Sequence, residues 1–282
     1  MNTTWAELSR STFTEVEFRL PVLALHGAAS SSTQWHGLSD YLRGSYHVVA
    51  PDLSAFASSD SAKSAIEAMV DEPVHLVGHL HGAALALEIA LERPELVRSL
   101  TLIEPTAFHL LRDGAPSDRA LFAELVGLAN RMKIAVEAHD PASGMSAYVD
   151  FWYGRGAWQR TSPGLRQMLA SHLPRTAADL AASLVASWPA GGCARIRCPT
   201  LVVMALESPA VSLRVTEIVA ETIPGARLAM IADAGHMAPL TDPHIVDPMI
   251  GAHLKAVDRP RRKRRPWHKA SPRSPATCLP AI

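Results

Sequence analysis

Short apolar runs alternate along most of the chain with longer stretches in which apolar residues recur at helical spacing. Six of the short runs are apolar at most positions, which indicates strands buried on both faces of a parallel sheet. The longer stretches are then the crossover helices that such a sheet requires. We therefore predict an α/β fold with a mostly parallel central sheet flanked by helices. The predicted strands cover residues 21–25, 46–50, 74–77, 99–103, 200–204 and 227–231.

A long helical stretch interrupts this alternation between residues 108 and 190. It is rich in Ala, Leu and Arg and contains the aromatic cluster Phe151-Trp152-Tyr153. We predict that it is a helical cap inserted into one domain, residues 1–258, and that aromatic residues of the cap line an apolar entrance. The segment from 52 to 74 is short by comparison and has room for one short helix.

Charge separates the end of the chain from the rest. The 282 residues are 48% apolar and 19% charged with a net charge of zero, as expected for one large core. Residues 259–282, however, contain eight Lys or Arg and no acidic residue, which predicts a basic, disordered tail. Such a run can bind nucleic acid or an anionic membrane. A solvated extension is the simpler interpretation, and we expect no nucleic-acid partner.

No apolar run is long enough to span a membrane, and the N-terminus lacks the pattern of an export signal. Three cysteines, Cys193, Cys198 and Cys278, have neither disulfide nor metal-ligand spacing. We expect a cytoplasmic protein with no cofactor and no metal. The sequence makes no prediction about the oligomeric state.

The segment that carries most information begins as an apolar strand at Val74 and continues through a glycine-containing turn into a helix. Small residues at Gly78, Gly82 and Ala83 allow the strand and the helix to approach closely, and they hold Leu80 on a strained turn. This is the build of a nucleophile elbow. Upstream, Leu25-His26-Gly27-Ala28 follows a strand as an oxyanion loop does. Downstream, Ala234-Gly235-His236 follows the last strand as a catalytic histidine does.

These segments, in this order, resemble the α/β-hydrolase superfamily, in particular esterase-like enzymes and lactone or acyl hydrolases with a helical cap. The resemblance covers about residues 12–254 and includes the stretches 50–53 and 92–100. It implies hydrolysis of a small ester, lactone or acyl substrate. By the same resemblance His236 is the base, and the backbone N–H groups of Ala28 and His81 are oxyanion donors, with His26 and Gly27 beside them.

The sequence departs from the family pattern at two positions. Leu80 stands where the family has Ser, Cys or Asp, and a leucine has no lone pair with which to attack a carbonyl. Ser208 stands where the family has its usual acid. Some members supply the acid from the end of the strand after the elbow helix, and Glu104 matches that position. Glu207 is a neighbouring alternative, although a surface role is the simpler prediction for it.

Two functions stay open at this point. One is a weak, serine-independent hydrolase in which His236 activates water. The other is an inactive homologue that binds a small apolar ester, lactone or acyl ligand. A zinc site is a third, disfavoured alternative, because no acidic ligand is clearly placed with the histidines concerned, which are His26, His79, His81 and His236. Ser30, Ser31 and Ser32 are predicted to be loop and capping residues rather than displaced nucleophiles.

Overall fold

The structure is a computed structural model that describes residues 20–186 and 188–259. The predicted basic tail lies outside the described residues except for Arg259. The same holds for residues 1–19 of the predicted domain.

Six parallel strands form one sheet in the order β2-β1-β3-β4-β5-β6. The predicted fold class is confirmed, and each predicted strand is present with ends that differ by no more than two residues. The largest extension at a carboxyl end is in β3, which continues through Gly78 to His79. The strands are β1 (Leu20–Leu25), β2 (Tyr46–Val49), β3 (Val74–His79), β4 (Val97–Ile103), β5 (Thr200–Ala205) and β6 (Arg227–Ile231).

Helices connect the strands and cover both faces of the sheet. Side chains of β1 alternate, so that Leu23 and Leu25 join one buried cluster while Val22 and Ala24 join the other. Burial on both faces explains why the strands are apolar throughout. The helices are α1 (His36–Leu42), α2 (Ser59–Met69), α3 (His81–Glu92), α4 (Pro116–Glu137), α5 (Pro141–Tyr153), α6 (Ala157–Arg160), α7 (Pro163–Ser171), α8 (Leu173–Val185), α9 (Ala190–Cys193), α10 (Ala210–Thr222), α11 (Ala238–Thr241) and α12 (Pro243–Asp258). Short 3₁₀ helices lie at Ser32–Trp35, Leu53–Ala55, Pro94–Leu96 and Phe108–Leu111.

The segment between β4 and β5 is helical from Phe108 to Cys193, and we call it the helical insertion. Helices α4 and α5 pack side by side, and α8 packs against both. Their buried faces, including Leu128 and Met145, belong to the same apolar cluster as Leu102 in β4. The insertion is therefore continuous with the core of the sheet. In the part of the chain that the structure describes, no helix combines the length and the apolar character needed to cross a membrane.

Candidate active site

Leu80 occupies the tight turn between β3 and α3 with a strained backbone, at φ 50° and ψ −113°. The flanking glycines are required there by close approach. A Cβ on Gly82 would lie 2.3 Å from the carbonyl oxygen of Leu25, and one on Gly78 would lie 2.5 Å from the Cα of Ala83. The close strand–helix approach predicted from these small residues is confirmed. A non-glycine residue in this region of backbone space costs about 1–3 kcal/mol.

The Leu80 side chain is buried, with 2% of its surface exposed, and packs beneath the loop after β1. Its Cδ1 lies 3.1 Å from the position that a Cβ on Gly27 would take. The turn therefore presents a methyl group toward this loop where a serine would present a hydroxyl. The floor of the site is apolar as a result.

His236 and Glu104 form a buried pair. The Nδ1 of His236 lies 2.7 Å from the Oε2 of Glu104, which directly follows β4 and has a positive φ of 46°. The other carboxylate oxygen accepts hydrogen bonds from the Ala205 amide at 2.9 Å and from the Ser208 hydroxyl at 2.6 Å, and Ser212 donates to Oε2 at 3.1 Å. Burial would raise the pKa of Glu104, but the hydrogen bonds from His236, Ser208 and Ala205 outweigh it and lower the pKa. Glu104 is therefore an anion at neutral pH.

Residues at the end of β5 and just after it donate hydrogen bonds to Glu104 but do not provide the carboxylate that contacts His236. Ser208, at the position of the usual family acid, donates its hydroxyl to Glu104. Glu207 is exposed, and its backbone N–H donates to the carbonyl of Ala234. The structure thus brings Glu104, and not Glu207, to His236.

The insertion covers the other side of His236. The indole of Trp152, on α5, stacks on the imidazole with ring centroids 4.4 Å apart and an angle of 4° between the planes. The Nε2 of His236 is buried and has no hydrogen-bond partner among the described residues. Phe108, stacked on Trp152 at 5.9 Å, is also buried. Phe108 and Trp152 also line a small cavity of the insertion, and the aromatic-lined entrance stays a prediction.

Ala28 and His81 line one small cavity, together with Trp152, Thr176 and Asp179 of the insertion, and Trp152 links this cavity to His236. Its volume of about 20 Å³ is enough for about one water molecule. The backbone N–H groups of Ala28 and His81 have no hydrogen-bond acceptor among the described residues. Both amides are therefore available as hydrogen-bond donors.

His26 and Gly27 shape the loop that carries Ala28. The Nε2 of His26 accepts a hydrogen bond from the Leu53 amide at 2.8 Å, which leaves Nδ1 to donate to the Gly27 carbonyl, also at 2.8 Å. The Gly27 amide donates to Gln34 at 3.3 Å. These contacts fix the loop and leave the next amide, that of Ala28, free.

The remaining predicted histidines have separate partners. His79 donates from Nε2 to the backbone carbonyl of His236 at 2.9 Å, and burial lowers its pKa to about 3. The Nε2 of His81 lies 3.4 Å from the hydroxyl of Ser59, at the start of α2, and 3.9 Å from Asp179 of the insertion. Burial also lowers the pKa of His81. Across residues 20–186 and 188–259, no three His, Cys, Asp or Glu side chains are grouped so that they could hold a metal ion.

Sequence reasoning missed the polar residues of α8. Asp179 and Thr176 face the cavity, and Arg175 donates to Asp179 at 2.8 Å and to the carbonyl of Phe56. No motif marks these positions. Their approach to His81 depends on how the insertion packs on the sheet, which helical periodicity alone does not specify.

Comparison with known proteins places the whole arrangement in a family. A family model described as the alpha/beta hydrolase fold matches residues 21–243. Pyrrolizixenacetamide deacetylase of Xenorhabdus hominickii is 26% identical over 265 residues, which are 85% of this chain and 92% of that protein. Lipase LipV of Mycobacterium tuberculosis is 34% identical over 96 residues, but this match spans 30% of this chain and only 36% of the lipase.

Among solved structures, MenH from S. aureus superposes with a TM-score of 0.64 at 19% sequence identity, covering 86% of this chain and 96% of that one. At this identity the likeness concerns the fold. The family match spans most of the chain, and its parallel sheet is the one the structure contains. This chain belongs to the alpha/beta hydrolase fold family.

Proposed function

We propose that the protein is a slow, serine-independent hydrolase of small esters or lactones in which His236 is the general base. The observation that carries the proposal is the state of the His236 ring. Glu104 holds Nδ1 at 2.7 Å, so that this nitrogen carries the proton, and Nε2 is left with a lone pair and no partner among the described residues. Such a nitrogen can take a proton from water. The activated water is then the nucleophile, a role that the Leu80 side chain cannot fill.

In the proposed reaction Nε2 of His236 removes a proton from water while the water oxygen bonds to the substrate carbonyl carbon. The carbonyl electron pair moves onto the oxygen, which the amides of Ala28 and His81 bind. When the intermediate collapses, the acyl C–O bond breaks and the proton on Nε2 passes to the leaving alkoxide. General-base catalysis supplies about 10²- to 10⁴-fold, and each oxyanion donor about 10²- to 10³-fold. Because these rate enhancements are modest, the proposed enzyme acts best on substrates with a reactive carbonyl.

The helical insertion acts as the cap of this site in the proposal. Trp152, Thr176 and Asp179 come from the insertion, whereas Ala28 and His81 come from the sheet side, and all five line one cavity. The names of the lipase and the deacetylase among the relatives support hydrolysis of a carboxylic acid derivative. The apolar floor at Leu80 favours a ligand with an apolar part.

A panel of short-chain aryl esters and small lactones tests the proposal on the wild type, Leu80→Ser and His236→Ala. We expect slow turnover by the wild type that falls to background in His236→Ala. His244→Ala, which changes an exposed histidine, is the matched control and retains the wild-type rate. Background activity in the wild type together with activity in Leu80→Ser would refute serine-independent catalysis.

A second candidate function is binding of a small ester, lactone or acyl ligand without turnover. The stacking of Trp152 on His236 favours it, because the indole covers one whole face of the proposed base. In that case calorimetry detects a ligand while the wild type, His236→Ala and the uncatalysed reaction give the same hydrolysis rate.

A further inference from the structure

The part of the cavity wall that α8 contributes includes the polar side chains of Thr176, Asp179 and Ser183, which the family resemblance gives no reason to expect. Thr176 is 1% exposed, and its hydroxyl has no hydrogen-bond partner among the described residues. Trp152 is likewise buried, and its indole N–H interacts with the Tyr148 hydroxyl. Both residues line the cavity that Ala28 and His81 also line. A buried polar group without a partner costs about 1–3 kcal/mol, so the Thr176 hydroxyl at this cavity marks a place where a ligand supplies the partner.

Asp179 adds an acceptor to the same wall. Arg175 donates to Oδ1 at 2.8 Å, and no described residue donates to Oδ2. Arg175 also donates to the carbonyl of Phe56, so the carboxylate is fixed between α8 and the segment after β2. The ion pair with Arg175 offsets the charge of Asp179. The carboxylate therefore suits a neutral hydrogen-bond donor better than a cation.

We propose that the site selects small esters or lactones that carry a hydroxyl or N–H group next to the carbonyl. The carbonyl oxygen accepts from the amides of Ala28 and His81 on the sheet side. The adjacent donor group faces Asp179 and Thr176 on the insertion side. Asp179 accepts the hydrogen of this group, and the Thr176 hydroxyl forms a second hydrogen bond with it. This inference rests on the proposed function, because it uses the same cavity and the same oxyanion donors.

The test compares α-hydroxy-γ-butyrolactone with α-methoxy-γ-butyrolactone, in which a methyl group replaces the donor hydrogen. Binding is measured by calorimetry, and hydrolysis is followed in parallel by acid release. We expect the wild type to bind the hydroxy compound about 10- to 100-fold more tightly, as one hydrogen bond to a charged group provides. Asp179→Asn and Thr176→Val should each reduce this ratio to about threefold or less. Asp113→Asn, at an exposed carboxylate of the insertion, should leave it unchanged.

The outcomes separate the two proposals. A binding preference without hydrolysis supports the donor-selective pocket and contradicts the hydrolase. Hydrolysis of both lactones with equal affinity supports the hydrolase and overturns the donor-selective pocket. Equal affinity in the wild type, absence of measurable binding, or a preference that persists in both variants overturns the inference. Thr176→Val replaces the hydroxyl with a methyl group of similar size, so it tests the idea even if Asp179→Asn weakens folding through the loss of its pairing with Arg175.

Discussion

The proposed acid, Glu104, stands at the end of β4. Ser208, at the position where the family usually has its acid, donates a hydrogen bond to it. Glu104 receives hydrogen bonds from His236, from the Ala205 amide and from the hydroxyls of Ser208 and Ser212. The Glu104 carboxylate is thus the shared acceptor of a buried hydrogen-bond network. Its removal should matter for folding as well as for chemistry.

We expect Glu104→Ala to lower the free energy of unfolding by about 3–5 kcal/mol, because the substitution leaves several buried donors without an acceptor. Urea denaturation measures the loss. Glu207→Ala is the matched control, since Glu207 is exposed and its loss should change stability by no more than about 0.5 kcal/mol. Equal effects of the two substitutions would show that the network contributes nothing to the fold.

The family resemblance makes Glu104 the candidate acid for His236 with Glu207 as an alternative, and parallel strands whose carboxyl ends meet at one edge of the sheet allow such a contact. Leu80 could be identified for a similar reason, since the glycines around it mark the turn. The stacking of Trp152 could not be predicted in this way. Trp152 is one of three consecutive aromatic residues, and which of them faces His236 depends on how α5 is rotated in the packed insertion.

At the scale of elements, α5 closes the site through one side chain. Trp152 contacts His236, Phe108, Tyr148 and Phe151 through ring contacts, whereas its neighbour Tyr153 is 48% exposed. The helix therefore joins the insertion to the proposed base through a single large aromatic residue.

Trp152→Ala should create a cavity beside His236 and lower the free energy of unfolding by about 3–5 kcal/mol. Indole matches the side chain that is lost, so it should bind the variant and raise its Tm while leaving the Tm of the wild type unchanged. Tyr153→Ala, on the same helix, is the control and should bind no indole. If indole raises the Tm of all three proteins alike, Trp152 does not fill the site.

The six strands follow from their apolar composition, but the helix boundaries inside the insertion do not. A stretch rich in Ala and Leu is compatible with many divisions into helices. Here packing sets the boundaries of α4 to α9, and Pro141 and Pro163 stand at the first positions of α5 and α7. Helical character could thus be predicted for this region, and its internal arrangement could not.

At the scale of the whole molecule, buried titratable groups make stability depend on pH. Burial lowers the pKa of His79 to about 3 and that of His253 to about 4, so both are neutral in the folded protein. The unfolded chain takes up a proton at each near pH 6.5. Below that pH the unfolded state binds more protons, and stability falls as the pH falls. Asp247 acts in the opposite direction, because burial raises its pKa to about 6.

We expect the free energy of unfolding to decrease from pH 7 to pH 5, by at most about 1.4 kcal/mol per pH unit for each histidine. Urea denaturation at several pH values measures this slope. His79→Asn should make the slope shallower, and Asp247→Asn should make it steeper because the opposing carboxyl is gone. A free energy of unfolding that stays constant over this range would contradict the assignment of neutral buried histidines.

The cavity between the sheet and the insertion has a kinetic consequence. At about 20 Å³ it holds roughly one water molecule, so under the proposed function a lactone enters only when Trp152 and the helix that carries it have moved outward. Binding then draws on the minority of molecules that are open at any moment, and the apparent Kd is the intrinsic Kd divided by the open fraction. Substitutions that loosen α5 would tighten apparent binding without touching the ligand, because they enlarge the population that is ready to receive it.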